Sequence, residues 1–91
     1  SRPDWVVIQG DTMTTFLGAF CAFLRGVKVC HVEAGLRTFN LQHPFPEEAL
    51  RQLTARVTSL HCAPTDQARL NLRQEGIAAE KTVVTGNTIV D

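Results

Sequence analysis

Residues 27–35, VKVCHVEAG, form a short apolar run that ends in an acid and a glycine. Three other apolar runs, residues 5–9, 60–63 and 82–85, also end in polar or glycine-containing clusters. Runs of β-branched residues bounded by turn residues, with helical stretches between them, are typical of repeated β-α units. The sequence therefore predicts an α/β fold: a Rossmann-like parallel sheet of about four strands with alternating helices.

The segments between the predicted strands carry helix signals. Thr14 or Thr15 is suited to cap a first helix, and Pro46 fits the first position of a second one. Thr65 is suited to cap a third helix, which Gly76 ends. We predict strands at 5–9, 27–33, 60–63 and 82–85, and helices at about 14–25 and about 66–75. A further helix begins at Pro46, with Val57 or Leu60 as the last residue of its apolar face.

Polar residues follow each predicted strand directly. In a parallel sheet every strand ends at the same edge, and ligands bind there. We therefore expect the side chains that follow the strands to lie along one rim, although they are far apart in sequence. These residues are Asp11, Glu33, Thr65 and Asn87.

Composition limits the possible partners. The 91 residues include nine acids and nine Lys or Arg, so the net charge is zero and no basic stripe points to nucleic acid. No apolar run approaches the ~20 residues that span a membrane, and we expect no signal peptide. Neither end has a linker-like tail, so we expect a segment of a longer protein.

The cysteines and histidines show no metal-binding pattern. Cys21, Cys30 and Cys62 lack a CxxC spacing, and no two histidines are four residues apart on a helix. We expect three buried, reduced thiols, a cytoplasmic setting and no metal site.

The predicted helix at 14–25 is apolar on nearly every side. A helix on the surface of a domain shows one apolar stripe, so this helix should be buried on more than one side. Either further sequence or another subunit would cover it, and a homo-oligomer is expected.

Two acids follow strands directly. Asp11 is either a turn or helix-cap residue or a functional acid. Glu33 ends an apolar strand, where an unpaired carboxylate is costly. It therefore either pairs with Arg37 or bonds to the loop at Gly35, or it serves in proton transfer.

Glu47 and Glu48 open the second predicted helix. The simple account is a favourable interaction with the helix dipole together with pairs with Arg51 and Gln52, respectively, and it is sufficient for one of the two acids. That account is favoured for Glu48. Glu47 is the stronger functional candidate, because it closes a loop of about ten residues and follows the rigid Pro46.

The loop after the second strand holds further candidates. Arg37 either holds a phosphate or sugar oxygen or anchors Glu33. His31 alternates with Glu33, so both share a sheet face, although a core histidine is the default interpretation. No GxGxxG or GxxxxGK[ST] string occurs, so the segment encodes no dinucleotide or P-loop site.

Five strings in order resemble the non-hydrolysing bacterial UDP-N-acetylglucosamine 2-epimerases. The most specific is HVEAGLRT at 31–38, and the ordered set covers nearly the whole chain. The strings are GDT (10–12), HVEAGLRT (31–38), PFPEEALR (44–51), APT (63–65) and TGNTIVD (85–91).

The resemblance implies a glycosyltransferase-B-like enzyme of two Rossmann-like domains, of which this chain is the second half of the amino-terminal domain. It implies interconversion of UDP-N-acetylglucosamine and UDP-N-acetylmannosamine without NAD or another cofactor. The implied mechanism eliminates UDP to give 2-acetamidoglucal and then re-adds it with the opposite configuration at C2. The UDP-sugar and the remainder of the enzyme are the implied partners.

The resemblance also assigns candidate residues. Asp11, Glu33 and Glu47 match the three catalytic acids of this half of the enzyme. The positions that match supporting or substrate-binding residues are His31, Arg37, Thr38 and Arg51. Leu50 departs from the family pattern, which has Asn there, so polar support near Glu47 is in question.

Two other hypotheses stay open at this point. One is a self-associating half-Rossmann binding or assembly module without catalysis. The other is a hydrolysing relative that releases free N-acetylmannosamine, against which the intact HVEAGLRT string argues. Under the epimerase hypothesis we expect the 91 residues alone to be inactive.

Overall fold

The computed structural model describes residues 4–86, which form one parallel four-stranded sheet with helices between the strands. The strand order is β1-β2-β3-β4, and every neighbouring pair is parallel. The predicted α/β architecture is confirmed. Asn87 and the end of the TGNTIVD string lie outside the described residues.

The elements lie within one or two residues of their predicted bounds. A short 3-10 helix before the last strand was not predicted, because three residues carry no periodic signal. The elements are β1 (Trp5–Gln9), α1 (Met13–Leu24), β2 (Lys28–Val32), α2 (Glu47–Val57), β3 (Leu60–Ala63), α3 (Asp66–Gln74), the 3-10 helix (Ala79–Lys81) and β4 (Thr82–Val84).

Capping interactions explain the small shifts in the helix bounds. Thr12, not Thr14 or Thr15, caps α1, because its side chain accepts a hydrogen bond from the backbone N–H of Thr15 at 3.2 Å. Pro46 is the N-cap of α2, so the helix begins one residue later than predicted. The predicted cap of α3 is confirmed, since Thr65 accepts from the N–H of Ala68 at 3.1 Å.

The helices pack on one face of the sheet, where alternate strand residues are buried. Val29 and His31 of β2 and His61 of β3 belong to this face. The opposite face stays open, as the 66 % exposure of Val7 shows. Parallel sheets are normally covered on both faces, so residues 4–86 leave one apolar sheet face without a cover.

Helix α1 is less buried than the sequence predicted. Ala19 and Ala22 are its buried residues, whereas Phe23 is 52 % and Leu24 65 % exposed. Residues 4–86 cover only one side of this helix. The expected burial of its other sides is not seen within these residues.

The cysteines also differ from expectation, because none of them is fully buried. Cys21 is exposed, and Cys30 and Cys62 are half-buried with their sulfurs 3.7 Å apart on neighbouring strands. All three are free thiols. Burial, together with a hydrogen bond to Cys30, raises the pKa of Cys62 to about 11, which keeps this thiol protonated at neutral pH.

None of the helices in residues 4–86 has both the length and the apolar character needed to cross a bilayer.

The loop between β2 and α2 is packed tightly against α3 at Gly35. Gly35 has a φ of 92°, and its carbonyl accepts a hydrogen bond from the Asn71 amide at 2.9 Å. A Cβ at position 35 would lie 2.4 Å from the backbone oxygen of Ala68. Glycine is therefore required both by the backbone conformation and by the close approach of α3.

We predict that Gly35→Ala lowers the free energy of unfolding by about 2 kcal/mol or more, because the added methyl forces the loop away from α3. Chemical denaturation followed by circular dichroism measures the change. Gly18→Ala is the matched control, since Gly18 is helical and a Cβ there meets nothing within 4 Å. The control should be neutral or stabilising by about 0.5–1 kcal/mol. Equal effects of the two substitutions would contradict the packing argument.

Candidate active site

The carboxyl edge of the sheet carries a pocket of about 140 Å³. It brings together five of the seven candidate residues, from β2, α2 and the segments that follow β1 and β2. The lining residues are Gly10, Asp11, His31, Glu33, Gly35, Leu36, Arg37 and Arg51. Thr38 and Glu47 do not line it. Among residues 4–86, no group of three or more His, Cys, Asp or Glu side chains is arranged to hold a metal ion.

Asp11 is held by an arginine from α2. Its Oδ2 atom accepts hydrogen bonds from Nε of Arg51 at 3.0 Å, and Nη2 of the same guanidinium lies 3.0 Å from that oxygen. Asp11 is not a helix cap, because Thr12 performs that function. The turn residue is therefore an acid whose orientation is set by Arg51.

Glu33 lies just beyond the end of β2 and is more exposed than expected. Its φ of 63° is left-handed, which ends the strand at Val32. Its Oε1 atom accepts a hydrogen bond from Nε2 of Gln9 at 3.0 Å. The expected pair with Arg37 is wrong, and the partner of Glu33 within residues 4–86 is a neutral amide.

Arg37 anchors the loop to α3 and not to Glu33. Its Nε and Nη2 atoms bind the two carboxylate oxygens of Glu75 at 2.7 and 3.1 Å, and its Nη1 donates to the carbonyl of Leu36 at 2.9 Å. The side chains of Arg37 and Glu75 are only 1 % and 10 % exposed. A guanidinium engaged in this way is not free to bind a phosphate, so the expected phosphate contact has no support here. Glu75 was missed because it lies 38 residues away in sequence.

His31 is a buried residue that supports the turn carrying Asp11. It is 3 % exposed, and its Nε2 atom lies 3.0 Å from the carbonyl oxygen of Gly10, to which it donates in the neutral form. Burial lowers the pKa of His31, although the Gly10 carbonyl acts in the opposite direction. The neutral imidazole therefore fixes the backbone next to Asp11.

Thr38 has a role within its own loop. Its hydroxyl donates to the carbonyl of His43 at 2.6 Å and accepts from the N–H of Asn40 at 3.1 Å. Thr38 therefore stabilises the conformation of the loop. It does not line the pocket itself.

Glu47 is half-buried at the start of α2. Within residues 4–86 its carboxylate makes no hydrogen bond or ion pair. The expected pair with Arg51 is absent, because that guanidinium binds Asp11 and Glu48. The Glu47 carboxylate is thus free for a group outside the described residues.

Glu48 is the site residue whose importance the sequence did not reveal. It is 0 % exposed, and its carboxylate accepts from Arg51 at 3.2 Å, from Gln52 at 3.0 Å and from the N–H of Phe39 at 2.9 Å. The expected pair with Gln52 is confirmed. Burial acts to raise the pKa of Glu48, but the hydrogen bonds from Gln52, the loop backbone and Arg51 outweigh it and hold the pKa below its usual value. Glu48 is therefore a buried carboxylate that stays ionised.

Leu50, where the resemblance implies Asn, is buried with 5 % exposure. The position serves the apolar packing of α2 in this chain. The polar contacts near the start of α2 come from Glu48 and Arg51.

His61 is the sheet neighbour of His31 and is 1 % exposed. Neither of its ring nitrogens has a hydrogen-bond partner among residues 4–86. Burial, with smaller contributions from the charges of His31, Arg37 and Lys81, lowers the pKa of His61 to about 4. His61 is therefore neutral in the folded protein at neutral pH.

We predict that stability falls as the pH is lowered from 6.5 towards 4. Unfolded His61 binds a proton near pH 6.5, whereas folded His61 binds one only near pH 4. The contribution of His61 to the free energy of unfolding is complete above pH 6.5. As the pH falls from 6.5 to 4, it decreases by at most about 1.4 kcal/mol per pH unit.

Denaturation at several pH values between 5 and 6.5 measures the slope. His61→Leu should flatten it, since leucine does not titrate, while His31 still contributes in both proteins. Parallel curves for the two proteins would show that His61 is not the source of the pH dependence.

Comparison with known proteins agrees with a parallel α/β domain that carries a pocket at the carboxyl edge of its sheet, lined by two acids and two arginines. The family model for UDP-N-acetylglucosamine 2-epimerase matches residues 1–91. The chain belongs to the UDP-N-acetylglucosamine 2-epimerase family.

Individual relatives are about half identical to this chain. The UDP-N-acetylglucosamine 2-epimerase of Neisseria meningitidis is 49 % identical over 90 residues, which are 99 % of this chain and 24 % of that protein. The enzyme of the same name from Bacillus subtilis is 52 % identical over 90 residues, with the same coverage. The chain thus spans about a quarter of the length of these relatives.

Solved structures show the same fold. The UDP-GlcNAc 2-epimerase of N. meningitidis bound to UDP-GlcNAc is 50 % identical, with a TM-score of 0.91 over 94 % of this chain and 23 % of that one. The structure of Staphylococcus aureus MnaA with UDP is 52 % identical, with a TM-score of 0.91 over 94 % of this chain and 24 % of that one.

Proposed function

We propose that this chain is part of an enzyme that interconverts UDP-N-acetylglucosamine and UDP-N-acetylmannosamine, and that it forms the second half of the amino-terminal domain. The observation that carries the proposal is the convergence of Asp11 and Glu33, from the ends of two strands, on one pocket. Family membership over residues 1–91 and the UDP-GlcNAc and UDP named for the related structures support the substrate class.

The proposed reaction eliminates UDP to give 2-acetamidoglucal and re-adds it with the opposite configuration at C2. A proton on an unactivated carbon requires positioned acid and base groups, and carboxylates are suited to this task. Asp11, Glu33 and Glu47 are the proposed catalytic acids. Only protons and the UDP group move, so the proposed reaction needs no redox cofactor.

The environments of the three acids differ in a useful way. Asp11 is bound by a guanidinium, and Glu33 has a neutral amide as its partner. Glu47 has no partner among residues 4–86 and is free to contact substrate or the rest of the enzyme. Three acids with three environments are suited to different steps of one reaction.

The remaining candidates are proposed to support the acids. His31 fixes the Gly10–Asp11 turn, and Arg51 orients Asp11. Arg37 and Thr38 hold the loop that carries Glu33. In this proposal Arg37 and Thr38 act without touching the UDP-sugar.

The partners of the chain follow from its open apolar surfaces. We propose that the remainder of the enzyme covers the open sheet face and that the enzyme is a homo-oligomer, with α1 in or near the interface. A cytoplasmic setting stays a prediction from the reduced thiols.

Deuterium exchange at C2 of UDP-N-acetylglucosamine in heavy water tests the reaction in the full-length enzyme. The parent enzyme should exchange the C2 proton, and Glu33→Gln should reduce the exchange rate by about 10²-fold or more, because a neutral amide cannot transfer the proton. Glu80→Gln, an exposed acid on the 3-10 helix, is the matched control. A folded parent without exchange would refute the proposed reaction, and the binding or assembly module would then replace it.

The isolated 91-residue chain should not epimerise UDP-N-acetylglucosamine, because it lacks about three quarters of the length of its relatives. The same exchange assay on the purified chain measures this. Turnover by the chain alone would show that its pocket is sufficient for the chemistry.

A further inference from the structure

We propose that Glu48 is a positioning residue of the candidate active site, acting through Arg51 to fix the carboxylate of Asp11. This inference deepens the proposed function and rests on it for the catalytic role of Asp11. Glu48 does not line the pocket, so it is not itself a catalytic residue. Its effect reaches the pocket through one guanidinium.

The Glu48 carboxylate has a fixed position because both oxygens are bound. Oε2 accepts from the side chain of Gln52 at 3.0 Å and from the backbone of Phe39 at 2.9 Å. Oε1 accepts from Nη1 of Arg51 at 3.2 Å. The side chain is completely buried, so water does not compete for these bonds.

Arg51 transmits this fixed position to Asp11. Its Nη1 atom binds Glu48, and its Nε and Nη2 atoms both lie 3.0 Å from Oδ2 of Asp11. A guanidinium is planar, so an anchor on one nitrogen orients the other two. A long arginine paired with Asp11 alone would retain rotamer freedom, and holding it in one geometry would cost side-chain entropy.

The combined charge of Asp11, Arg51 and Glu48 is also suited to an acid-base group. Arg51 carries one positive charge and is shared by two carboxylates, so the set of three has a formal charge of −1. With Arg51 and Asp11 alone the set would be neutral. Glu48 therefore offsets part of the positive charge that Arg51 brings to Asp11.

Glutamine cannot replace Glu48 in this arrangement. Both oxygens of Glu48 accept hydrogen bonds, and an amide has a single oxygen. In Glu48→Gln the amide nitrogen must face either Arg51 or the N–H of Phe39, so one contact is lost. The substitution removes the charge and disturbs the anchor with almost no change in volume.

The test measures kcat and KM for C2 exchange in the full-length enzyme. Glu48→Gln should lower kcat by about tenfold to hundredfold, because misplacing a reacting group by about 1 Å has effects of this size. KM should stay within about twofold, since Glu48 does not contact the substrate. Glu48→Asp, which keeps the charge, should recover part of kcat, and Glu80→Gln should match the parent.

A double-substitution cycle tests the route through Arg51. If Glu48 acts through that guanidinium, Glu48→Gln should add little to the loss already caused by Arg51→Lys. Additive losses would overturn the proposal, and so would an unchanged kcat or a rise in KM alone in folded Glu48→Gln.

Crystal structures of the variants provide a readout that does not require activity. The distance between Arg51 Nε and Asp11 Oδ2 should lengthen beyond hydrogen-bonding range in Glu48→Gln. It should lengthen by a smaller amount in Glu48→Asp, which is the variant to solve if Glu48→Gln does not fold. An unchanged distance would overturn the positioning role. A parent without C2 exchange, combined with a lengthened distance in the variant, would refute the proposed function and support the positioning of Asp11 by Glu48.

Discussion

The loop between β2 and α2 depends on two sets of buried ionic contacts, and the pocket exists because this loop is fixed. At one end Arg37 binds Glu75 with both partners almost completely buried. At the other end Glu48 holds the backbone of Phe39 and the side chain of Arg51. Removing one partner of such a buried pair commonly costs about 3–5 kcal/mol, because the other charge is left without compensation. The loop that carries Glu33 therefore has few alternative positions.

The strands and helices could be predicted because their signals are local. A run such as residues 27–33 shows its β-branched character within a few positions, and Thr65 lies directly before the helix that it caps. The errors at the bounds have local causes as well. The left-handed conformation of Glu33 ends β2 early, and no propensity rule gives a non-glycine residue that conformation in advance. Thr12 was overlooked as a cap because two further threonines follow it.

Five of the seven candidate residues were correctly expected at one pocket, but their contacts could not be predicted. The rule that strand ends share one edge correctly brought Asp11 and Glu33 together. The pairing of charges depends on distances across the fold, and the sequence offered only near neighbours. Arg37 was assigned to Glu33, four residues away, but it binds Glu75, and Arg51 was assigned to Glu47, but it binds Asp11. The candidate acids could therefore be predicted from their positions in the sequence, whereas their ion-pair partners could be identified only from the structure.

The adjacent acids Glu47 and Glu48 show how one helix start serves both structure and chemistry. Successive helical residues point about 100° apart, so a pair of neighbouring glutamates cannot share one environment. Glu48 faces inward and is fully buried among donors, whereas Glu47 is half-buried and has no partner within residues 4–86. The buried acid fixes the start of α2 against the loop. The Glu47 carboxylate thus has a fixed point of attachment and no partner within residues 4–86, which agrees with its proposed role in proton transfer.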